Sequence, residues 1–523
     1  MPKKPNHTMS QAVKAAYLRG EDDETMLPLV RVEADGRPLG RIKPLDGVIF
    51  YNIRGEREVE LTRALVEDDF AEFPVRRDLN LAFATMVEYD PRLRVPCAFP
   101  PDGEIRDTLG EVIARAGLTQ VKITEAEKAM HVSYFLNGKR VEPFPKEERI
   151  VVPTRKDVTL FDEAPRMSID GIVEAAIEAI RNSRYDFVVV NFPNVDVVGH
   201  IENERAVMEA VSAVDEAAGK VIGAAQEAGV SVIVTADHGT VEKWLYPDGK
   251  VDTGHTMSPV PFVIVNPVEG LQLRKGGSLI DVAPTILDLF GLEVPEAMTG
   301  KSLITGGLSR RACRIALVIL DGWGEAPAGP GNLISRTETP VMDRLKLEYP
   351  FTLLEAAGNA VGLPADTVGN SEAGHLHIGA GRVVAAERVK IDEAIREGHF
   401  FVNPVFKAVM AKVRRRKKAL HLMGIVSFFS SHGSLHHLYA LLEMAKREGL
   451  SEVYIHAMLG RRGEKPESGA RYVGEIEDKC AELGIGRVVS VIGRYWSMDR
   501  EENWDRIEKT YRMLVFGEGR PVS

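Results

Sequence analysis

Short uninterrupted apolar runs alternate along most of the chain with segments in which apolar residues recur every three or four positions. Such runs suit strands buried on both faces, and the helical recurrence suits helices that cover them, so the pattern predicts a parallel α/β architecture. From Asp170 the amphipathic segment DGIVEAAIEAIRNS leads into YDFVVVNF, and a long helix from about Glu204 to Glu227 leads into VSVIVTADHG. Ser278 to Leu292 reads as a helix that stops at a glycine. Lys301 to Arg314, KSLITGGLSRRACR, has adjacent glycines, mixed charge and no sustained period, which makes it a candidate linker. Directly after it, RIALVILDGWGEA has the look of a domain's opening strand, placed late in the chain. There is no low-complexity tract and no internal repeat.

Length and composition narrow the class. At 523 residues the chain is past the size at which one core stops growing, which predicts two or three domains. Hydrophobic content of 44% and charged content of 27% are those of an ordinary globular protein. No apolar run approaches the ~18 residues of a membrane span, and the amino terminus carries no signal-peptide core, so a cytoplasmic protein without a membrane partner is expected. Cys97, Cys313 and Cys480 suit reduced thiols better than a disulfide framework. A net charge of −10 argues against a general nucleic-acid binder, while leaving room for a locally basic pocket that holds a small anion. The one dense basic run, KVRRRKK from Lys412 to Lys418, reads as a solvated helix end rather than a nucleic-acid patch.

Three strand-like runs end in chemistry. VILDG ends in Asp321, VVVNFPNVDVVGH runs into Asp196 and His200, and VIVTADHG ends in Asp237 and His238. Ligands of open parallel sheets bind beyond the carboxyl ends of the strands, where side chains from separate strands converge. Carboxylates mixed with imidazoles suit a manganese- or zinc-type divalent cation better than magnesium or calcium. Any one of these residues alone also fits a turn or a helix cap. Three strand ends of the same kind, with His255 following in DTGHTMSPVPF, predict a metal centre, and the set is too large for one ion. Two ions clamp attacking and leaving oxygens in phosphoryl or sulfuryl transfer. In VGLPADTVGNSEAGHLHIGAGR, Ser371 follows Asn370 in a glycine-punctuated turn; it is a candidate nucleophile and, equally, plausible helix-start chemistry.

With those residues in place the chain resembles the cofactor-independent (2,3-bisphosphoglycerate-independent) phosphoglycerate mutases of the alkaline phosphatase superfamily. The resemblance rests on LDGWG, TPVMDRL, GNSEAGHLHIGAGR, HLMGI, HLYALLEMAK, GRYWSMDREENWDR, AFPPDGEIRDTLGEVIARAGL, TEAEKAMHV, VGH, TADHG and SPVPF. Their order is cyclic rather than linear: the family's amino-terminal LDGWG strand here follows its carboxyl-terminal TADHG, as in a circular permutation closed by the linker. The resemblance implies an alkaline phosphatase-like domain with a mainly parallel sheet at 105–385, with the linker at about 301–313. It also implies a second α/β transferase domain assembled from 1–104 and 386–523.

Carried over motif by motif, Asp196, His200 and His255 would hold one manganese-type ion. Asp321, Ser371, Asp237 and His238 would hold the other, with Ser371 as the phosphorylated nucleophile and no bisphosphoglycerate required. Arg54, Arg57, Lys128, Arg462, Arg494 and Arg500 would grip the small phosphoglycerate substrate, arginine being suited to carboxylate and phosphate by its planar fork. His432 falls at the family's catalytic histidine, although SFFSSHGS differs from the family's turn and His436 and His437 lie nearby. In HAMLGRRGEKPES, Arg462 aligns with a family arginine, Arg461 does so after a one-residue shift, and Gly463 stands where the family has an aspartate; Glu464 is a possible substitute. Thr240 replaces a family asparagine. The implied activity interconverts 3-phosphoglycerate and 2-phosphoglycerate in a monomer, with metal and nucleophile in one domain and most anion-binding groups in the other. A metal-dependent phosphatase is the leading alternative; a phosphopentomutase-like specificity and a metal-dependent binding protein are the others.

Overall fold

The computed structural model describes residues 7–246, 248–265, 271–306, 311–428, 430–460 and 467–523. The chain divides into two compact units, Met1–Pro101 with Glu387–Ser523, and Asp102–Ala386. Each is α/β, as the apolar pattern predicts. Among the described residues no helix is long and apolar enough to cross a membrane.

The unit Asp102–Ala386 is built on a seven-stranded sheet. Its order is Phe351–Leu354, Val260–Val265, Ser231–Thr235, Ile315–Leu320, Phe187–Phe192, Gln120–Glu125 and Glu147–Val152. Five neighbouring strands, from Ser231–Thr235 across to Glu147–Val152, run parallel; Val260–Val265 alone is reversed against its neighbours. The central strands IALVIL, FVVVNF and SVIVT are buried at every position, as strands covered on both faces require. Covering helices include Ile169–Arg181 and Glu204–Glu227; the latter turns Val207, Val211, Val214, Val221 and a ladder of alanines inward and starts on the Asn203 side chain, which accepts from Ala206 N–H. The helix Val282–Phe290 stops at Gly291, which takes the left-handed conformation. Within the segment read as a linker, Ile304–Thr305 pairs with Gln272–Leu273, a contact too short to leave a periodic signal.

The other unit holds an eight-stranded sheet, ordered Arg520–Val522, Leu29–Arg31, Arg487–Gly493, Val453–Leu459, Leu420–Ile425, Gly47–Phe50, Ala82–Val87 and Cys97–Phe99. Six strands are parallel and Leu29–Arg31 runs antiparallel to Arg487–Gly493. The basic run ends the helix Pro404–Arg416, with Lys412, Arg414 and Arg415 exposed.

Candidate metal centre

Three adjacent parallel strands deliver the ligand set at their carboxyl ends. Asp321 follows Ile315–Leu320, Asp237 and His238 follow Ser231–Thr235, and Phe187–Phe192 passes through Pro193 into the helix Asn194–Gly199, which carries Asp196 and is capped by His200. Turning so sharply needs glycine: Gly322 sits at φ 84°, and a Cβ there would lie 2.8 Å from Asp196 N. Ser371 opens the helix Ser371–Ala380 while Asn370, not Ser371, is its cap, accepting from Ala373 N–H. The serine hydroxyl is thereby left for the site. Gly374 lets this helix lie against Asp237, whose carbonyl oxygen would be 2.4 Å from an added Cβ.

Distances tie the set into one cluster. Asp196 Oδ1 has the Nε2 atoms of His255, His200 and His238 at 3.0, 3.4 and 3.6 Å, yet it forms no hydrogen bond. The reason lies on the far side of each ring: Nδ1 of His200 faces Thr253 O at 2.7 Å, that of His255 faces Gly369 O at 2.9 Å, and that of His238 faces Gly239 O at 3.2 Å. A carbonyl oxygen only accepts, so each neutral ring carries its proton on Nδ1 and turns the Nε2 lone pair toward the carboxylate. Three lone pairs and a carboxylate oxygen facing one another is an arrangement that a cation completes.

Buried charge makes the same demand. Asp196, Asp237, Asp321 and Lys128 are all buried, so three carboxylates face one ammonium. Lys128 Nζ donates to Asp196 Oδ2 and Asp321 Oδ1, each at 2.7 Å, and to Ser371 Oγ at 2.6 Å. Burial alone would push the Lys128 ammonium down, but the carboxylates of Asp196, Asp321 and Asp237 raise it above the ordinary lysine range. Burial and the neighbouring Asp237 push Asp321 up. Asp237 Oδ1 accepts from His238 N–H and Gly322 N–H, while its buried Oδ2 makes no hydrogen bond and lies 3.2 Å from His375 Nδ1. Two orphaned carboxylate oxygens in an undercompensated pocket fit divalent cations.

The residues group as Asp196, His238 and His255 on one side and Asp237, Asp321 and His375 on the other. His238 Nε2 stands 3.6 Å from each of Asp196, Asp237 and Asp321 and 2.9 Å from Ser371 Oγ, so distance alone does not assign it to one ion. His375 has ligand-like proximity but supporting chemistry. Asn191 Nδ2 donates to its Nε2 at 3.1 Å, and its Nδ1 donates to Ser371 O at 2.9 Å, which leaves no lone pair for a cation. Asn191 also donates to Asp321 Oδ2 at 2.8 Å and thereby orients that carboxylate. Neither His375 nor Asn191 was singled out from the sequence. The available signals were a polar residue inside an otherwise apolar strand, and a histidine one helical turn after Ser371.

The remaining predicted residues lie in the other unit. Glu56 Oε1 is 3.3 Å from Arg54 Nε and 3.2 Å from Arg500 Nη1, and Arg57 Nη1 donates to Met498 O at 3.1 Å, so these three arginines gather in one neighbourhood. Arg494 is buried and opens the short helix Arg494–Ser497. His432 is buried with Nδ1 3.2 Å from Glu58 Oε1, a carboxylate fixed in turn by Asn52 Nδ2 at 2.6 Å and by Arg57 N–H. Glu58 was not foreseen. The neighbouring histidines are engaged elsewhere: His437 Nε2 lies 2.9 Å from Asp392, and His436 packs on Phe428. Arg461, Arg462, Gly463 and Glu464 lie outside the described residues.

The family model described as the metalloenzyme superfamily matches residues 17–294, more than half of the chain. The chain belongs to the metalloenzyme superfamily. A second model, described as the BPG-independent PGAM N-terminus, matches residues 391–523. The 2,3-bisphosphoglycerate-independent phosphoglycerate mutase of Moorella thermoacetica is 44% identical over 301 residues, covering 57% of each chain. That of Pseudomonas aeruginosa is 44% identical over 298 residues, again 57% of each, and that of Listeria welshimeri is 40% identical over 296 residues. The chain thus spans little more than half the length of the curated relatives it matches. A Leishmania mexicana phosphoglycerate mutase crystallised at low cobalt concentration is 33% identical, covering 52% of this chain and 53% of its own, with a TM-score of 0.39 that fixes no detail of the arrangement.

Proposed function

We propose that this metalloenzyme interconverts 3-phosphoglycerate and 2-phosphoglycerate through a phosphorylated Ser371, without bisphosphoglycerate. The observation that carries the reading is the position of Ser371 Oγ, held 2.6 Å from Lys128 Nζ and 2.9 Å from His238 Nε2 inside the ligand cluster. The Lys128 ammonium favours the oxyanion form of Ser371, and the His238 Nε2 lone pair, which a bound ion would take up, faces the same hydroxyl. Asp196, His200 and His255 would hold one divalent ion of the manganese type, and Asp321, Ser371, Asp237 and His238 the other. Such ions supply Lewis-acid stabilisation of the phosphoryl group in flight. His432, with Nδ1–H committed to Glu58, presents Nε2 for moving a proton on the glycerate hydroxyls. Arg54, Arg57, Arg494 and Arg500 supply forked donors for the substrate's carboxylate and phosphate, and the undescribed Arg462 is assigned with them.

The names of the relatives support this substrate, and the order of the two family matches supports a circularly permuted chain: the model described as an N-terminus falls at 391–523, after the superfamily match at 17–294. The domain bounds 1–104, 105–385 and 386–523, a monomeric state and a cytoplasmic location complete the reading. Gly463, where the resembled family carries an aspartate, favours one competing activity, a metal-dependent phosphatase that loses its glycerate. Incubation with 3-phosphoglycerate and Mn2+, without bisphosphoglycerate, separates the two. Formation of 2-phosphoglycerate supports the mutase, free phosphate supports the phosphatase, and neither product from metal-loaded protein refutes both.

A further inference from the structure

The basic run that ends the helix Pro404–Arg416 has no part in the chemistry above, and neither does the loop at residues 36–46. Together they line a cavity of about 610 Å3 in the unit that does not hold the metal-ligand cluster. Its wall includes Arg41, Lys43, Lys417, Lys418, Asp46 and Tyr454. We propose that this cavity binds a phosphate-bearing anion of up to nucleotide size.

The cations are unspent. Among the described residues the side chains of Arg41, Lys43, Lys417 and Lys418 make no ion pair, and the buried Arg41 Nε has no hydrogen-bond partner. In a protein of net charge −10, a lining that sets four free cations against the carboxylates of Asp46, Glu33 and Glu452 carries a small local excess of positive charge. Asp46 forms an ion pair with none of them. Its carboxylate accepts from Lys43 N–H at 2.8 Å and Ala419 N–H at 3.1 Å and lies 3.2 Å from His421 Nε2, so it clamps the two cation-bearing segments together. On the rim Asp35 is taken by Arg37, and Glu33 and Glu452 are the remaining carboxylates of the lining.

Backbone geometry points the same way. Lys417 caps the helix in the left-handed conformation, φ 53°, its N–H donating to Arg414 O while the N–H of Lys418 donates to Val413 O. Glycine meets that geometry without steric cost, whereas lysine bears the cost and gains a charge at the cavity mouth. Cations also complement the helix's carboxyl-terminal dipole, but a solvated lysine elsewhere in the last turn does that equally well. A planar guanidinium beside several ammoniums suits a multiply charged tetrahedral oxyanion, and the volume falls within the range of small-ligand sites.

The test is calorimetric titration of pyrophosphate, and separately ATP, into the full chain stripped of metal with EDTA. Lys417→Ala with Lys418→Ala, both at the surface, should weaken one binding event at least tenfold, and Arg41→Gln should do the same if it folds. In amine acetylation read by mass spectrometry, pyrophosphate should protect Lys43, Lys417 and Lys418 and leave the exposed Lys14 unchanged. Tighter binding of ATP that is lost in Tyr454→Ala identifies a nucleotide, and equal affinity for both probes identifies the phosphate group alone; either result upholds the site. A lysine-pair isotherm superimposable on wild type, or equal labelling with and without pyrophosphate, overturns it.

Discussion

Replacing Lys128 by methionine tests the electrostatics of the metal centre directly. The side chain is 5% exposed and donates to Asp196, Asp321 and Ser371 at 2.6–2.7 Å. Methionine keeps most of the volume and removes the charge, leaving three buried carboxylates without a cation of their own. Breaking a buried ion pair from one side costs about 3–5 kcal/mol. For a unit of this size 1 kcal/mol corresponds to roughly 2–4 °C in Tm, so a fall on the order of 10 °C is expected in EDTA. Saturating Mn2+ binds the folded form alone and should recover most of that loss. Differential scanning calorimetry of wild type and variant, each with EDTA and with Mn2+, reads all four states. A variant that melts within about 2 °C of wild type in EDTA would refute the reasoning, because the carboxylates would then not rely on Lys128. Loss of stability that Mn2+ leaves untouched would refute it equally, since the defect would lie in packing.

Gly322→Ala should displace Asp196, because the new Cβ meets Asp196 N at 2.8 Å in a left-handed backbone; Mn2+ stoichiometry measured by equilibrium dialysis should fall while the overall circular dichroism is retained. Glu58→Gln should lower the proposed mutase turnover by roughly 10- to 100-fold and alter its pH profile through His432, whereas a purely structural role would lower Tm and leave that profile unchanged. Lys122, buried beside Glu147 Oε2 at 3.2 Å and Asn137, is pushed down to about 8 by burial, while Glu147 stays below its usual range because Lys122 and then Arg149 pair with it. A lysine with a depressed folded pKa stabilises the fold at pH above its unfolded value and loses that contribution as pH falls through the folded one. Wild-type stability should therefore gain about 3 kcal/mol between about pH 8 and pH 10.5, and denaturant titrations of Lys122→Met should lack that gain.

Side chains at the ends of apolar runs were the legible part of this molecule. Parallel strands all point one way, so a polar residue that closes such a run has only one edge of the sheet to occupy, and Asp321, Asp237 and Asp196 meet there because their strands are neighbours. What orients them was not legible. The carbonyls of Thr253, Gly239 and Gly369, which fix three imidazole tautomers, are backbone groups with no residue-type signature. Glu58 reaches His432 across 374 positions, a pairing that no local pattern encodes. His375 and Asn191 left weak signals, outweighed by the glycines around one and the valines around the other.

Lys128 shows why a motif and a structure give different kinds of information. In sequence it is one cation in TEAEK, and the resemblance assigns it to the substrate's anionic groups. In the fold it ends the 3₁₀ turn Ala126–Lys128, directly after the strand Gln120–Glu125, and its ammonium reaches Asp196, Asp321 and the Ser371 hydroxyl at once. A single positive charge placed there satisfies part of what the three carboxylates require and leaves the lone-pair face of His200, His238 and His255 unsatisfied. Ions that complete the pocket would therefore share the Asp196 and Asp321 carboxylates with Lys128 and compete with it for their charge. Ion binding and release of the lysine toward Ser371 and an incoming phosphoryl group then become one linked equilibrium. On that linkage Lys128→Met should bind Mn2+ more tightly than wild type while transferring phosphate more slowly. Weaker Mn2+ binding in the variant, measured by calorimetry, would break the linkage.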